Sequence, residues 1–150
     1  MSKTVVFINR RLGEIEVETD KLLTFPAGML GFSGLRRFAL LPHRPGTPFY
    51  WLVAVDAGDV AFVVVNPETF FESYCPAPSK DQLAPLNLPE DTETNLGMLV
   101  VVSFHAGSPT ANLRAPLLLD LEQRLGVQAV QMNKSFDTRA PLFSGRGAQK

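Results

Sequence analysis

The stretch from Phe49 to Pro67, FYWLVAVDAGDVAFVVVNP, is the most hydrophobic part of the chain and holds its only tryptophan. Two apolar runs, Phe49 to Val55 and Val60 to Val65, flank Asp56-Ala57-Gly58-Asp59, which has the composition of a hairpin turn. Val, Phe, Tyr and Trp dominate both arms, and such side chains pack well on a pleated surface. The runs are too short and too β-branched to begin helices. A buried hairpin is therefore the predicted seed of the core.

The flanking segments extend the same pattern. Thr4 to Ile8 and Glu14 to Glu18 alternate; in the second, Ile15 and Val17 face one way while Glu14, Glu16 and Glu18 face the other, as in a half-buried hairpin. Leu22 to Phe25 reads as a short strand broken by Pro26, followed by a tight loop in which Gly28, Gly31 and Gly34 permit positive φ. Their spacing matches neither the dinucleotide nor the P-loop pattern. Phe38 to Pro42 is apolar on both faces and reads as a central strand.

Helical signals are confined to Pro67 through Leu86. Asn66 is a candidate N-cap with Pro67 at the first helical position, which predicts a short helix over Pro67 to Tyr74 bearing Phe70 and Phe71. Ser79 with Gln82 has capping-box spacing and predicts one more turn before Pro85. Residues 87–95 read as a polar, acidic loop, Gly97 to Phe104 as a buried strand, and the stretch after it as irregular. Leu117 to Leu119 and Val127 to Met132 form a final strand pair. Residues 1–142 are expected to make one domain and 143–150 a disordered tail. The fold class is mainly β: a small antiparallel barrel or sandwich with one or two short helical insertions.

At 150 residues one domain can bury a core without staples, and the lone Cys75 excludes an intramolecular disulfide. With no charged-then-apolar leader at Met1 and no run near 20 apolar residues, the expectation is a cytoplasmic protein that neither spans nor binds a membrane. A net charge of −1 speaks against a dedicated nucleic-acid binder. The charge is unevenly distributed, however: between Arg44 and Arg114 the only basic residue is Lys80, among eight acidic ones from Asp56 to Glu93. That is either a solvated rim or a surface for a basic partner.

Enzyme constellations are thin. Cys75 and His105 are the one imaginable nucleophile and base, and nothing around Cys75 signals a lowered thiol pKa. His43 and His105 fall at predicted loop positions. Two histidines and one cysteine lack metal-ligand spacing, so neither a metal site nor another cofactor is expected. Phe70, Phe71 and Tyr74 could stack bases, but Glu68 and Glu72 beside them would repel phosphate, which favours core packing or protein binding.

The motifs, taken in order, resemble one family. Gly13-Glu14-Ile15-Glu16-Val17, Thr24-Phe25-Pro26-Ala27-Gly28 with Gly31-Phe32, and Pro48-Phe49 followed by Trp51-Leu52 are similar to the flagellar assembly factor FliW family. So are Ala61-Phe62-Val63-Val64 with Asn66-Pro67 and Phe70-Phe71, Thr110-Ala111-Asn112-Leu113 with Ala115-Pro116, Gln128 to Gln131, and Arg139 to Leu142. Departures are Met29-Leu30 where Ile-Pro is common, Ser33 where an acidic residue is usual, and Asp120 for a customary asparagine.

The resemblance implies a small cytoplasmic binding protein rather than an enzyme, monomeric when free. It would hold newly made flagellin as a chaperone and, once freed, bind the translational regulator CsrA, relieving repression of flagellin mRNA. Glu68, Phe70, Phe71, Glu72, Tyr74 and Asn112 are the candidate partner-binding residues, with Glu68 and Glu72 expected on one helix face. The motif residues Phe25, Gly28, Phe32, Phe62, Asn112 and Pro116 can serve fold or partner. The alternatives are an RNA-binding barrel of the OB or Sm-like kind and a cysteine-dependent enzyme.

Overall fold

The computed structural model describes residues 3–88, 96–105 and 107–143, so the predicted tail after Phe143 and most of the acidic loop lie outside the described residues. The chain is built from strands β1 (Thr4–Asn9), β2 (Gly13–Glu18), β3 (Leu23–Thr24), β4 (Arg37–Pro42), β5 (Phe49–Ala54) and β6 (Ala61–Val65). One helical turn, α1 (Lys80–Leu83), precedes β7 (Gly97–His105), β8 (Ser108–Ala111), β9 (Leu117–Asp120), β10 (Leu125–Gln128) and β11 (Ala140–Pro141).

The hairpin of β5 and β6 sits at the centre of the larger sheet, whose order is β11-β8-β7-β6-β5-β4-β3-β10-β9. An additional pairing of β7 with β9 joins the ends of the run β7-β6-β5-β4-β3-β10-β9 and closes it into a ring. Strand β7 is shared out along its length: Gly97 to Leu99 pair with β9, Val100 to Val102 with β6, and Val102 to His105 with β8. Pairing is antiparallel throughout the sheet except between β3 and β10, which touch in parallel at Thr24 and Leu125.

Alternation divides the apolar side chains between the ring's two faces. Leu52 and Ala54, Val64, Leu99, Leu117 and Leu119 point inward with Leu23, Phe25, Met29 and Phe38. Their neighbours Val53, Val65 and Leu118 point outward, and each outer patch is covered by a different piece of chain. The β1–β2 hairpin lays Phe7 and Ile15 on Ala39 and Val53; the segment after β6 covers Val65, Val100 and Val102; Leu83, Leu86 and Leu88 cover Leu118 and Val127. Burial on both faces is why these strands read as continuous hydrophobic runs.

Two glycines are fixed by contact. A Cβ on Gly126 would lie 2.6 Å from the Phe25 ring, and one on Gly28, at φ +73°, would lie 2.6 Å from the Ser33 backbone. Both sites therefore exclude a side chain.

Several local expectations are corrected. The helix over Pro67 to Tyr74 is only a 3-10 turn at Pro67–Thr69; Asn66 caps it as expected, accepting from the Glu68 N–H at 2.9 Å. Past Thr69, the chain instead lays Phe70, Phe71 and Tyr74 together on one outer patch, and Pro76 and Pro78 lack the donors a helix would need. Glu68 and Glu72 consequently share no helix face. The capping box of Ser79 and Gln82 is present, but beyond α1 the chain adds a 3-10 turn, Ala84–Leu86, that includes Pro85. Strand β8 lies in the stretch expected to be irregular, and Pro109 is tolerated there because only Thr110 and Ala111 pair with β11. The His105 backbone belongs to β7, not to a loop, and Phe104 is exposed. Strand β10 stops at Gln128, leaving Met132 in solvent. Asp120 serves its turn as an asparagine would, accepting from the backbone N–H groups of Glu122 and Gln123 at 3.0 and 3.3 Å.

Candidate functional site

The segment from Asn66 to Ser79 crosses the outer face of β6, β7 and β8 with little regular structure of its own. It is held by bonds from side chain to backbone. The Tyr74 hydroxyl donates to the Leu113 carbonyl at 2.5 Å, the Ala77 N–H donates to Gln131 Oε1 at 2.9 Å, and Gln82 Nε2 donates to the Val130 carbonyl at 2.6 Å. Gln131, itself buried, also donates from Nε2 to the Ala129 carbonyl at 3.0 Å, so both ends of its amide are engaged.

Aromatic contacts complete the patch. Phe70 lies 6.2 Å from the Phe49 ring and edge-on to Phe143 at 5.6 Å; Tyr74 meets Phe136 edge-on at 5.4 Å. Phe70, Phe71 and Tyr74 are half-buried against Val65, Val100, Val102 and Ala111, whereas Glu68 and Glu72 are exposed. Desolvation pushes the Tyr74 hydroxyl up to about 12, so the side chain stays neutral and donating at physiological pH. Asn112 joins the patch through its neighbour Leu113. Its own side chain is used locally: Oδ1 accepts from the Arg114 N–H at 3.1 Å, while the Asn112 N–H reaches the Val101 carbonyl at 2.9 Å.

Five of the six candidate residues therefore lie on one segment and the sixth beside the carbonyl that anchors it. Leu113, Gln131, Phe136 and Phe143 belong to the same surface and are not among the candidate partner-binding residues; in the sequence Leu113 and Gln131 figure only as motif residues, Phe136 and Phe143 in no motif. The arrangement offers half-buried aromatic surface bordered by two carboxylates, and no ion pair among the described residues engages them. Elsewhere in the acidic middle, Asp56 is bound at 2.7 Å by Arg37, whose hydrogen bond holds its carboxyl below the usual range.

The remaining chemical candidates are dispersed. Cys75 is exposed at the rim of a shallow groove lined by Gln82, Val130, Met132 and Phe136. His43 stacks on Trp51 at 4.8 Å, and the His105 side chain lies outside the described residues. Among the described residues no group of three His, Cys, Asp or Glu could hold a metal ion, and no helix is long and apolar enough to cross a membrane.

Most motif residues take structural positions: Phe25 and Pro116 are buried, and Phe32, partly exposed, packs edge-on against Phe62 at 5.6 Å. Of the departures in that loop, Met29 is buried, while Leu30 is exposed and donates its N–H to Gln128 Oε1 at 2.7 Å.

Comparison with known proteins gives a consistent result. A family model described as FliW protein matches residues 6–142. The chain is 40% identical over 138 residues to the flagellar assembly factor FliW of Natranaerobius thermophilus, covering 91% of each chain. It is 36% identical over 133 residues to that of Geotalea uraniireducens, covering 89% of this chain and 81% of the relative. A crystal structure of the flagellar assembly factor FliW superimposes with a TM-score of 0.83 at 27% identity, covering 93% of this chain and 98% of the other.

Proposed function

The chain belongs to the FliW family, and on that premise we propose that it is a cytoplasmic flagellar assembly factor, monomeric when free, that works by exchanging partners. It holds newly made flagellin as a chaperone; freed when flagellin is exported, it binds a CsrA-type translational regulator and relieves repression of flagellin mRNA. The observation that carries this reading is the Asn66-to-Ser79 segment, with half-buried Phe70, Phe71 and Tyr74 beside exposed Glu68 and Glu72. Aromatic anchors in a polar rim are the usual energetic centre of a protein interface. The carboxylates suit a basic partner and oppose direct binding of RNA.

No covalent step is needed. Two ligands that bind one protein exclusively each lower the other's apparent affinity. The test is a competition with purified components: flagellin titrated into a complex of this chain with the regulator is expected to release the regulator. A stable ternary complex would overturn the exchange, and failure of both proteins to bind would overturn the reading as a whole.

A further inference from the structure

The β1–β2 hairpin is buried on one face only. Its inner side chains, Phe7 and Ile15 with Val5 and Val17, sit on the outer surface of β4 and β5. On the other face the register sets Thr4 opposite Glu18, Val6 opposite Glu16 and Ile8 opposite Glu14. Two parallel rows result, one of carboxylates and one of the β-branched Thr4, Val6 and Ile8, of which Val6 and Ile8 are apolar.

Both rows are open. Val6 is 53% and Ile8 69% exposed. Glu14, Glu16 and Glu18 are exposed, and no ion pair among the described residues engages them. A lysine at position 6 or 8 would have formed a cross-strand ion pair with the glutamate opposite, the usual way to finish a solvated hairpin. This chain places Val and Ile there instead. Nearby cations do not substitute: Arg11 lies 5.6 Å from the centre of the Trp51 ring, and Lys3 and Arg10 stand at the hairpin's ends.

The spacing selects the shape of what would cover the face. Alternate residues of a strand are about 6.8 Å apart, and the two rows lie about 5 Å from one another. A partner strand laid flat presents one row of side chains and can meet only one of these two. An α-helix presents adjacent rows, with residues four apart separated by about 6 Å along the axis and residues three apart filling the next row.

We propose that the outer face of this hairpin docks a basic amphipathic helix of a partner protein. Its lysines or arginines recur every fourth residue over Glu14, Glu16 and Glu18, and the adjoining apolar row rests on Val6 and Ile8. This surface is separate from the Asn66-to-Ser79 segment, because the hairpin covers β4 and β5 while that segment covers β6, β7 and β8.

The probe is a synthetic, end-capped helical peptide of roughly 18 residues, long enough to hold a helix, with lysines every fourth position and leucines in the neighbouring row. Binding to the full chain is read by fluorescence anisotropy, and melting curves check each variant's fold. Glu14→Gln with Glu16→Gln and Glu18→Gln is expected to weaken binding at least tenfold, as is Val6→Thr with Ile8→Thr. Asp81→Asn with Asp137→Asn, exposed carboxylates on neither strand of the hairpin, and a wild-type chain given a peptide of scrambled order, serve as controls: the first leaves affinity unchanged and the second binds at least tenfold more weakly. Absence of binding would overturn the proposal. So would equal binding of the scrambled peptide, no loss in the Val6/Ile8 variant, or an equal loss in the Asp81/Asp137 control, since each reduces the contact to general charge attraction.

Discussion

The interior of the ring and the Asn66-to-Ser79 cover bury similar side chains by different means. Inside, Phe25 and Phe38 meet edge-on at 5.3 Å, both fully buried, and flanking strands satisfy the backbone through their ladders. Outside, Phe70, Phe71 and Tyr74 stay half-buried, and the chain carrying them is fastened by isolated bonds to Leu113 and Gln131. A side chain lost from the interior leaves a cavity that seven strands share. A bond lost from the cover frees mainly the cover, so local opening there costs less than global unfolding.

The largest expected effect follows from the interior. Phe25→Ala removes a ring that fills the space above Gly126, and the cost of such truncations is about 3–5 kcal/mol. That is a large part of the roughly 5–15 kcal/mol that holds a domain together. Urea unfolding measures it directly, with Phe70→Ala as the outer counterpart expected to lose less. Equal losses would erase the distinction between the two regions.

The same contrast decided what the sequence could disclose. The ring strands were legible because period-2 side chains and uninterrupted apolar runs report burial on one or both faces, as in Phe49 to Ala54 and Ala61 to Val65. Closure of the ring was not legible, because it rests on three residue pairs between Gly97–Leu99 and Leu117–Leu119, distant in sequence and lacking a local signature. In the cover, caps at Asn66 and Ser79 were visible since they are local hydrogen bonds. The helix expected after Asn66 did not form, because packing of Phe70, Phe71 and Tyr74 on the strands outweighed a weak local propensity. Partners such as Gln131 and Phe136 reach the patch only through tertiary contacts.

Charge reversal separates binding from stability. Glu68→Lys with Glu72→Lys changes exposed groups with no ion pair among the described residues, so melting is expected to stay within about 0.5 kcal/mol of wild type. Binding of the CsrA-type regulator is expected to weaken by at least about 1 kcal/mol, and wild-type affinity to fall as salt shortens the Debye length to about 8 Å. Titration calorimetry at two salt concentrations checks both. Unchanged affinity at either salt would make these carboxylates a solvated rim.

Tyr74→Phe cuts a single fastening of the cover while keeping its ring. Loss of the hydroxyl bond to Leu113 is expected to cost about 1 kcal/mol, and hydrogen exchange should rise around Leu113 and Ala77 before it rises in β5. The hydroxyl's folded pKa, about 12, lies above its unfolded value of about 10. Its contribution is therefore complete below about pH 10 and is lost as pH rises through about 12. Wild type should accordingly lose stability over that window more steeply than Tyr74→Phe. Parallel pH profiles would show that the hydroxyl is not desolvated.

The smallest effect is expected at Cys75, which lies within the cover yet contributes none of its fastenings. The thiol is exposed, it follows Tyr74 and precedes Pro76, and its neighbours in the shallow groove are Gln82, Met132 and Phe136 rather than a base. Cys75→Ser exchanges one small exposed group for another and leaves the Tyr74 and Gln131 bonds in place. Stability and affinity for both partners should stay within about 0.5 kcal/mol of wild type. A loss of binding with an unchanged melting curve would place the thiol itself in the interface. A fall in melting temperature would instead show that the cover depends on packing along its exposed rim and not only on the bonds that pin it to Leu113 and Gln131.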